Sequence, residues 1–228
     1  MSQYELIDTR FVLPSPAGTY YAISNNQEET SRGLLLALMT QENSQKISAK
    51  TLSIWLDNDD LETSFALLYK IQKLGWLRPD DEQSSAPTGA LEEIIPPLLA
   101  TLCNSEKSLL ADRQGFTLAA HGFTHEAAEE LSALSADIIA LRLRHGSLLT
   151  KNLKLNTQAI GLIDAAGNSQ LGFWPLHIGK HCFTLVMSGI PQFNQPSFTN
   201  LIWLLTTRYG SSDDVATSSI NEMFYADK

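Results

Sequence analysis

Two pairs of histidines have the spacing of metal ligands. His121 and His125 stand four residues apart, as do His177 and His181, and two histidines at that spacing on one helix face can bind zinc. Each pair, however, spans a glycine that indicates a turn, and neither an HExxH nor a CxxC motif accompanies them. We therefore expect turn or surface histidines and predict no metal site.

Other residues with catalytic potential lack the motifs that would activate them. The sequence has no GxxxxGK[ST] phosphate loop, no GxGxxG after a strand and no GxSxG nucleophile elbow. Cys182 falls within a predicted core strand, where cysteine acts as a small apolar residue, and nothing near Cys103 favours a thiolate. We therefore predict a protein that is not an enzyme and requires no cofactor.

Composition and charge limit the class of protein. The chain has 228 residues with 43% hydrophobic and 18% charged residues, and 16 basic against 25 acidic residues give a net charge of −9. This composition excludes bulk disorder and removes any general attraction to DNA. The first residues, MSQYELIDTR, do not resemble a signal peptide, and no apolar run is long enough to span a bilayer. We therefore expect a soluble, cytoplasmic protein.

A polar stretch rich in proline divides the chain. Residues 80–89 contain acidic and hydroxyl side chains but no large apolar residue, which is typical of a linker. The predicted domains are therefore residues 1–79 and 90–210, and residues 211–228 form a polar C-terminal tail.

The first half is predicted to be a hairpin over residues 4–24 followed by three short helices. The third helix begins at Asp59 or Asp60 and ends at Gly75, and a short extended piece follows it. Three compact helices and a strand resemble a winged helix-turn-helix domain, whose third helix usually enters the major groove. The acidic start of this helix would be repelled by phosphate, which favours a protein-contact or spacer role. A DNA footprint would have to use Lys46, Lys50, Lys70, Lys73 and Arg78.

The second half has the predicted order α-β-β-α-β-β-β-α, which makes the whole chain α+β. The features that indicate a family are the segments LLADRQGFTLA from Leu109 and LSALSA from Leu131, with Gly167 and Gly179 at turns of the closing strands. These residues resemble a roadblock/dynein light chain domain, the longin-like module found in regulators of small GTPases. The resemblance implies a five-stranded antiparallel sheet. Pro96-Pro97 and Pro175 depart from the pattern in the first helix and fourth strand.

The long helix from Thr124 to about Arg144 has two apolar stripes on a helical wheel. We expect one stripe to cover the sheet; it contains Ala127, Leu131, Leu134, Ile138 and Leu141. The neighbouring stripe contains Ala128, Ser132, Ser135, Ile139 and Leu143, and its small side chains would let another helix approach closely. Roadblock domains commonly dimerise through this helix and the adjacent edge strand, so the resemblance implies that the second stripe is a homodimer interface. The alternative is that it packs on the first half of the chain.

Two further features of the second half have both a functional and a structural interpretation. The outer side of the long helix carries Glu126, Glu129, Glu130 and Asp137, which form either a solvated face or the docking site of a partner. Arg113 has the chemistry of a transition-state arginine for a bound GTPase. A lone arginine in an exposed turn is, however, usually no more than a polar turn residue.

The resemblance implies a dimeric adaptor that binds a small Ras-like GTPase and biases its nucleotide state without a catalytic residue of its own. Two alternatives stay open. One is a transcriptional regulator whose dimer presents two winged helices to DNA, and the other is a scaffold in which the second half serves only to dimerise.

Overall fold

The computed structural model describes residues 9–210, and their first half is built on a three-stranded sheet. Its elements are β1 (Phe11–Pro14), α1 (Pro16–Ile23), α2 (Thr30–Met39), β2 (Gln45–Lys46), α3 (Ala49–Leu56), α4 (Leu61–Lys73) and β3 (Leu77–Asp80). The strands are antiparallel in the order β2-β1-β3. The three helices predicted after residue 30 are present, and Ser48 and Asp60 accept hydrogen bonds at the starts of α3 and α4. The likeness of this half to a winged helix stays a prediction.

The hairpin predicted over residues 4–24 is wrong where the structure describes it, because a helix follows β1 directly. Ser15 caps α1 by accepting a hydrogen bond from the Gly18 N–H at 3.2 Å. Pro16 takes the first helical position, where its missing N–H costs nothing. The Ser-Pro pair therefore starts a helix instead of a turn. Residues 4–8 of the predicted hairpin lie outside the described residues.

The second half confirms the predicted order of elements and the α+β class. It contains α5 (Leu91–Leu99), β4 (Ser108–Ala111), β5 (Thr117–His121), α6 (His125–Gly146), β6 (Ile160–Ile163), β7 (Ser169–Ile178), β8 (His181–Ser188) and α7 (Pro196–Tyr209). The five strands are antiparallel in the order β5-β4-β8-β7-β6. The long helix was predicted to end at about Arg144, but it reaches Gly146 and continues in a π-helical turn over Ser147–Asn152.

The prolines that depart from the family pattern are accommodated. Pro175 lies in β7 opposite Thr184 of β8. The pairing between β6 and β7 extends only as far as Phe173, so at Pro175 strand β7 is paired with β8 alone. The missing N–H of Pro175 therefore removes no hydrogen bond to β6. Pro96 and Pro97 lie inside α5.

The two halves pack against each other over a common core. The Trp203 Nε1–H of α7 donates to the Gln41 carbonyl at 2.7 Å, and the hydroxyls of Thr19 and Thr199 are 3.3 Å apart in the buried contact of α1 with α7. The predicted linker is also held, since Ala86 is buried and its N–H donates to Glu42 O at 2.8 Å. The domain boundaries themselves stay a prediction, and the C-terminal tail lies outside the described residues. Within the described range, no helix combines the length and hydropathy needed to cross a membrane.

Candidate interaction surfaces

Helix α6 lies on one face of the five-stranded sheet with its smallest side chains inward. Ala128, Ser132, Ser135 and Ile139 are buried, and the helix contacts β4, β5 and β8. The Thr117 hydroxyl of β5 donates to Ala128 O at 3.2 Å and lies 2.7 Å from Ser132 Oγ. These small side chains allow the helix to approach the sheet closely.

This packing corrects the helical-wheel assignment of the two stripes. Four of the five predicted dimer residues, Ala128, Ser132, Ser135 and Ile139, are covered by the chain's own sheet, and Leu143 is the member of that stripe that is exposed. The hairpin between β4 and β5 comes so close that a Cβ on Gly115 would stand 3.0 Å from Ser132 O. Because there is no room here for leucines, the larger side chains lie on the flank of the helix.

The leucine-bearing flank of α6 faces β7 and β6. Leu131 and Ile138 are half-buried and pack against the cluster that contains Phe173 of β7, while Leu134 and Leu141 are 42% and 48% exposed. The Arg142 guanidinium donates to the carbonyl of Thr157, just before β6, at 3.4 Å. This flank therefore presents apolar surface next to the edge of the sheet.

Strand β6 forms one edge of the sheet. One face of this strand lies on the same side of the sheet as α6. Ile160 pairs with Phe173 and Leu162 pairs with Leu171, and paired residues of antiparallel strands point to the same face. Because Phe173 and Leu171 belong to the cluster under α6, Leu162, which is 62% exposed, lies on that face too. We call Leu134, Ile138, Leu141, Ile160 and Leu162 the α6–β6 surface.

The acidic residues proposed as a docking site form an exposed row on the other side of α6. Glu126, Glu129, Glu130 and Asp137 are all exposed, and Glu129 is 3.2 Å from the Nε2 atom of His125. The row carries no feature beyond those of a solvated helix face, and its role as a docking site stays a prediction.

A polar cluster lies below the C-terminal half of α6. His177 Nε2 is 2.7 Å from Gln158 Oε1, and burial lowers the pKa of His177 to about 4, with smaller effects from Arg32, Arg142 and Arg113. Burial likewise raises the pKa of the neighbouring Cys182 thiol to about 11, while the charge of Arg113 opposes the shift. Both groups are uncharged near neutral pH, so the cluster supplies neither an imidazolium nor a thiolate.

The histidine pairs do not gather further ligands in the structure. His125 pairs with Glu129, and His181 stacks on Phe183 with 6.1 Å between ring centroids. Across residues 9–210, no three His, Cys, Asp or Glu side chains are close enough to hold a metal ion. Arg113 is exposed in the turn between β4 and β5.

The five cations of the predicted DNA footprint are exposed but spread over four elements. Lys46 lies on β2, Lys50 on α3, Lys70 and Lys73 on α4, and Arg78 on β3. Two of them already have neighbours: Lys46 Nζ is 4.8 Å from the ring centre of Phe11, and Arg78 Nη2 is 3.8 Å from Asp80. Contact of these residues with DNA stays a prediction.

A cavity of about 910 Å³ lies between the two halves, next to the start of α2 and the turn between β7 and β8. The Arg32 side chain in its wall donates to the Tyr21 and Ala22 carbonyls, and its Nε atom is buried with no partner among the described residues. Glu28, Glu29 and Asp57 also line the cavity. Three carboxylates against one arginine make it a poor site for an anion.

One surface that the sequence analysis missed begins where α6 ends. Leucines alternate with basic residues from Leu141 to Leu155, and several of both kinds are exposed. The signal was present, since no aspartate or glutamate occurs between Asp137 and Asp164. It was overlooked because the helical wheel assigned Leu141 and Leu143 to packed stripes and the later leucines were not considered.

The faces of the five-stranded sheet decide its fold. Helix α6 covers one face, and α5 and α7 cover the other, with the strands in the order β5-β4-β8-β7-β6. Residues 91–209 therefore have the α-β-β-α-β-β-β-α arrangement and the five-stranded antiparallel sheet that the resemblance implied. No comparison with protein-family models or with curated proteins gives a match.

A search of solved structures gives several matches, among them three that each cover about half of this chain. A roadblock/LC7 domain from Streptomyces avermitilis is 12% identical with a TM-score of 0.38, and covers 53% of this chain and 96% of its own. The gliding protein MglB from Thermus thermophilus is 20% identical with a TM-score of 0.33, covering 55% and 94%. Myxococcus xanthus MglB is 15% identical with a TM-score of 0.29, covering 54% and 90%. At these identities and TM-scores the three matches give no conclusion about what this chain binds or does.

Proposed function

We propose that this chain is a non-enzymatic adaptor that forms a homodimer and binds a small Ras-like GTPase, whose nucleotide state it biases. The main support for the dimer is the open edge of β6, which lies beside exposed apolar side chains of α6. The GTPase partner is inferred from the resemblance of the second half to roadblock domains.

The α6–β6 surface has the two features that a two-fold interface needs. An edge strand presents unpaired backbone N–H and C=O groups, so a second β6 can add to it and extend the sheet. Leu134, Leu141 and Leu162 then meet their counterparts and leave water together. Exposed apolar groups on an edge strand favour association, since each buried side chain contributes about 1.5–3 kcal/mol before the cost of association.

The effect on a GTPase would come from differential binding. A dimer that binds the GTP-bound arrangement of the switch loops tenfold more tightly shifts the equilibrium by about 1.4 kcal/mol. This mechanism requires no catalytic side chain of the adaptor. It is consistent with the uncharged state of His177 and Cys182 near neutral pH.

The dimer is tested by Leu162→Arg, with Ile54→Arg as a matched control. Both residues are exposed apolar side chains, 62% and 66% accessible, but Ile54 lies on α3 in the first half. We expect light scattering after size exclusion to give about twice the chain mass of 25.2 kDa for the wild type and the control, and one chain mass for Leu162→Arg. A monomeric wild type at about 100 µM, or a dimeric Leu162→Arg, would contradict the proposed interface.

The partner is tested by capture with the tagged full chain from a lysate of the source organism, with GDP and with a non-hydrolysable GTP analogue. We expect mass spectrometry to identify a Ras-like GTPase that is enriched with the analogue alone. An intact dimer that captures no GTPase in either state would favour the scaffold. A sequence-specific shift of a DNA duplex at physiological salt would favour the transcriptional regulator.

A further inference from the structure

Exposed leucines and cations occupy one continuous segment after the middle of α6. Leu143 and Leu153 are 60% and 56% exposed, and Leu148 is also largely accessible. In the same segment, Arg144, Lys151 and Lys154 are exposed on the last turn of α6, the π-helical turn and the loop that follows. We call these six residues the basic leucine surface.

The charges of this surface are not compensated within the described chain. Residues 138–163 contain no aspartate or glutamate, although the whole chain has a net charge of −9. None of the ion pairs formed among residues 9–210 involves Arg144, Lys151 or Lys154. A group of cations beside exposed leucines matches an occupant that is both acidic and apolar.

The C-terminal residues of the chain have that composition. Residues 211–228 carry four carboxylates, Asp213, Asp214, Glu222 and Asp227, against Lys228 alone. The same segment contains Ile220, Met223, Phe224 and Tyr225. Its charge and its apolar content are therefore both complementary to the basic leucine surface.

The described chain ends beside the turn between β7 and β8. Gly210 adjoins the turn between β7 and β8, since a Cβ on Gly179 would stand 3.4 Å from Gly210 Cα. Two residues before Gly179, His177 is hydrogen-bonded to Gln158, at the end of the loop that carries Lys154. A chain as long as residues 211–228 reaches up to roughly 60 Å when extended, so the distance is readily spanned.

We propose that residues 211–228 dock on the basic leucine surface of the same chain. Apolar side chains around Phe224 pack on Leu143, Leu148 and Leu153, and the carboxylates lie beside the three cations. The docking does not depend on the dimer or on a GTPase.

Hydrogen exchange of the full chain tests this docking from both sides. In Phe224→Ser, we expect the amides of residues 143–155 to exchange at least about threefold faster than in the wild type. In Lys151→Glu/Lys154→Glu, we expect the amides of residues 211–228 to exchange faster by a similar factor. The matched control is Lys70→Glu/Lys73→Glu, which reverses two exposed lysines on α4 and should change neither segment. Addition of 0.5 M NaCl should weaken the protection, because salt screens exposed charges.

Three outcomes would overturn the proposal. The first is equal exchange of residues 143–155 in the wild type and in Phe224→Ser. The second is protection that vanishes on tenfold dilution, which would assign the surface to the tail of a second copy. The third combines two results: the same fraction of the wild type and of Phe224→Ser sediments with phosphatidylserine vesicles, and the amides of residues 211–228 exchange without protection. Together they would assign the surface to an anionic membrane.

Discussion

Replacing Ser132 by leucine tests whether the small-residue stripe of α6 packs on the chain's own sheet. Ser132 is fully buried, and its hydroxyl lies 2.7 Å from the Thr117 hydroxyl of β5. A larger side chain forced into such a contact costs about 1–3 kcal/mol, and loss of the hydrogen bond costs about 1 kcal/mol more. We therefore expect the free energy of unfolding to fall by about 2–4 kcal/mol.

Urea unfolding followed by circular dichroism measures this change. With a slope of about 2–3 kcal/mol per M, the midpoint should fall by roughly 1 M at every protein concentration. Ala140→Leu is the control, because Ala140 is exposed on the same helix and should leave the midpoint within about 0.2 M. If the stripe were a dimer interface instead, Ser132→Leu would reduce the mass in solution and leave the midpoint of the monomer unchanged. That result would refute the packing described above.

Two further predictions concern His177 and the helix glycines. The pKa of His177 is about 4 in the folded chain, compared with an ordinary value of 6.5. As the pH falls, the unfolded chain therefore binds a proton at this residue before the folded chain does. The free energy of unfolding should decrease between about pH 6.5 and pH 4. In urea unfolding at pH 7 and 4.5, His177→Gln should make this decrease smaller, whereas His145→Gln, at an exposed site, should not. The same dependence of the unfolding free energy on pH in both variants would contradict the shift. Gly18→Ala should destabilise the chain by more than about 2 kcal/mol, because the added Cβ would collide with the Trp76 backbone. Gly33 of α2 has open space around it, so Gly33→Ala should stabilise the chain by about 0.4–1 kcal/mol. Thermal unfolding of the two alanine variants checks this, and a stable Gly18→Ala would show that α1 can move away from Trp76.

Local patterns in the sequence were enough for most of the elements. Helices α3 and α4 could be predicted because their caps and their apolar spacing agree, and α2 could be predicted from its apolar spacing, although no side chain caps it. The order α-β-β-α-β-β-β-α followed from turn residues and periodicity. The same local information also contained the start of α1 at Ser15 and Pro16, which the hairpin prediction overlooked.

Tertiary structure alone decided which side of α6 is buried. A helical wheel ranks stripes by hydrophobicity, and so it placed Leu134 and Leu141 on the sheet. The buried side of α6 depends on the short distance between α6 and β5, which is seen in the contact of Thr117 with Ser132. Only small side chains fit at this contact. The same packing leaves Leu134 and Leu141 exposed on the flank of the helix. Sequence periodicity shows that a residue can be buried, whereas the position of neighbouring strands determines whether it is.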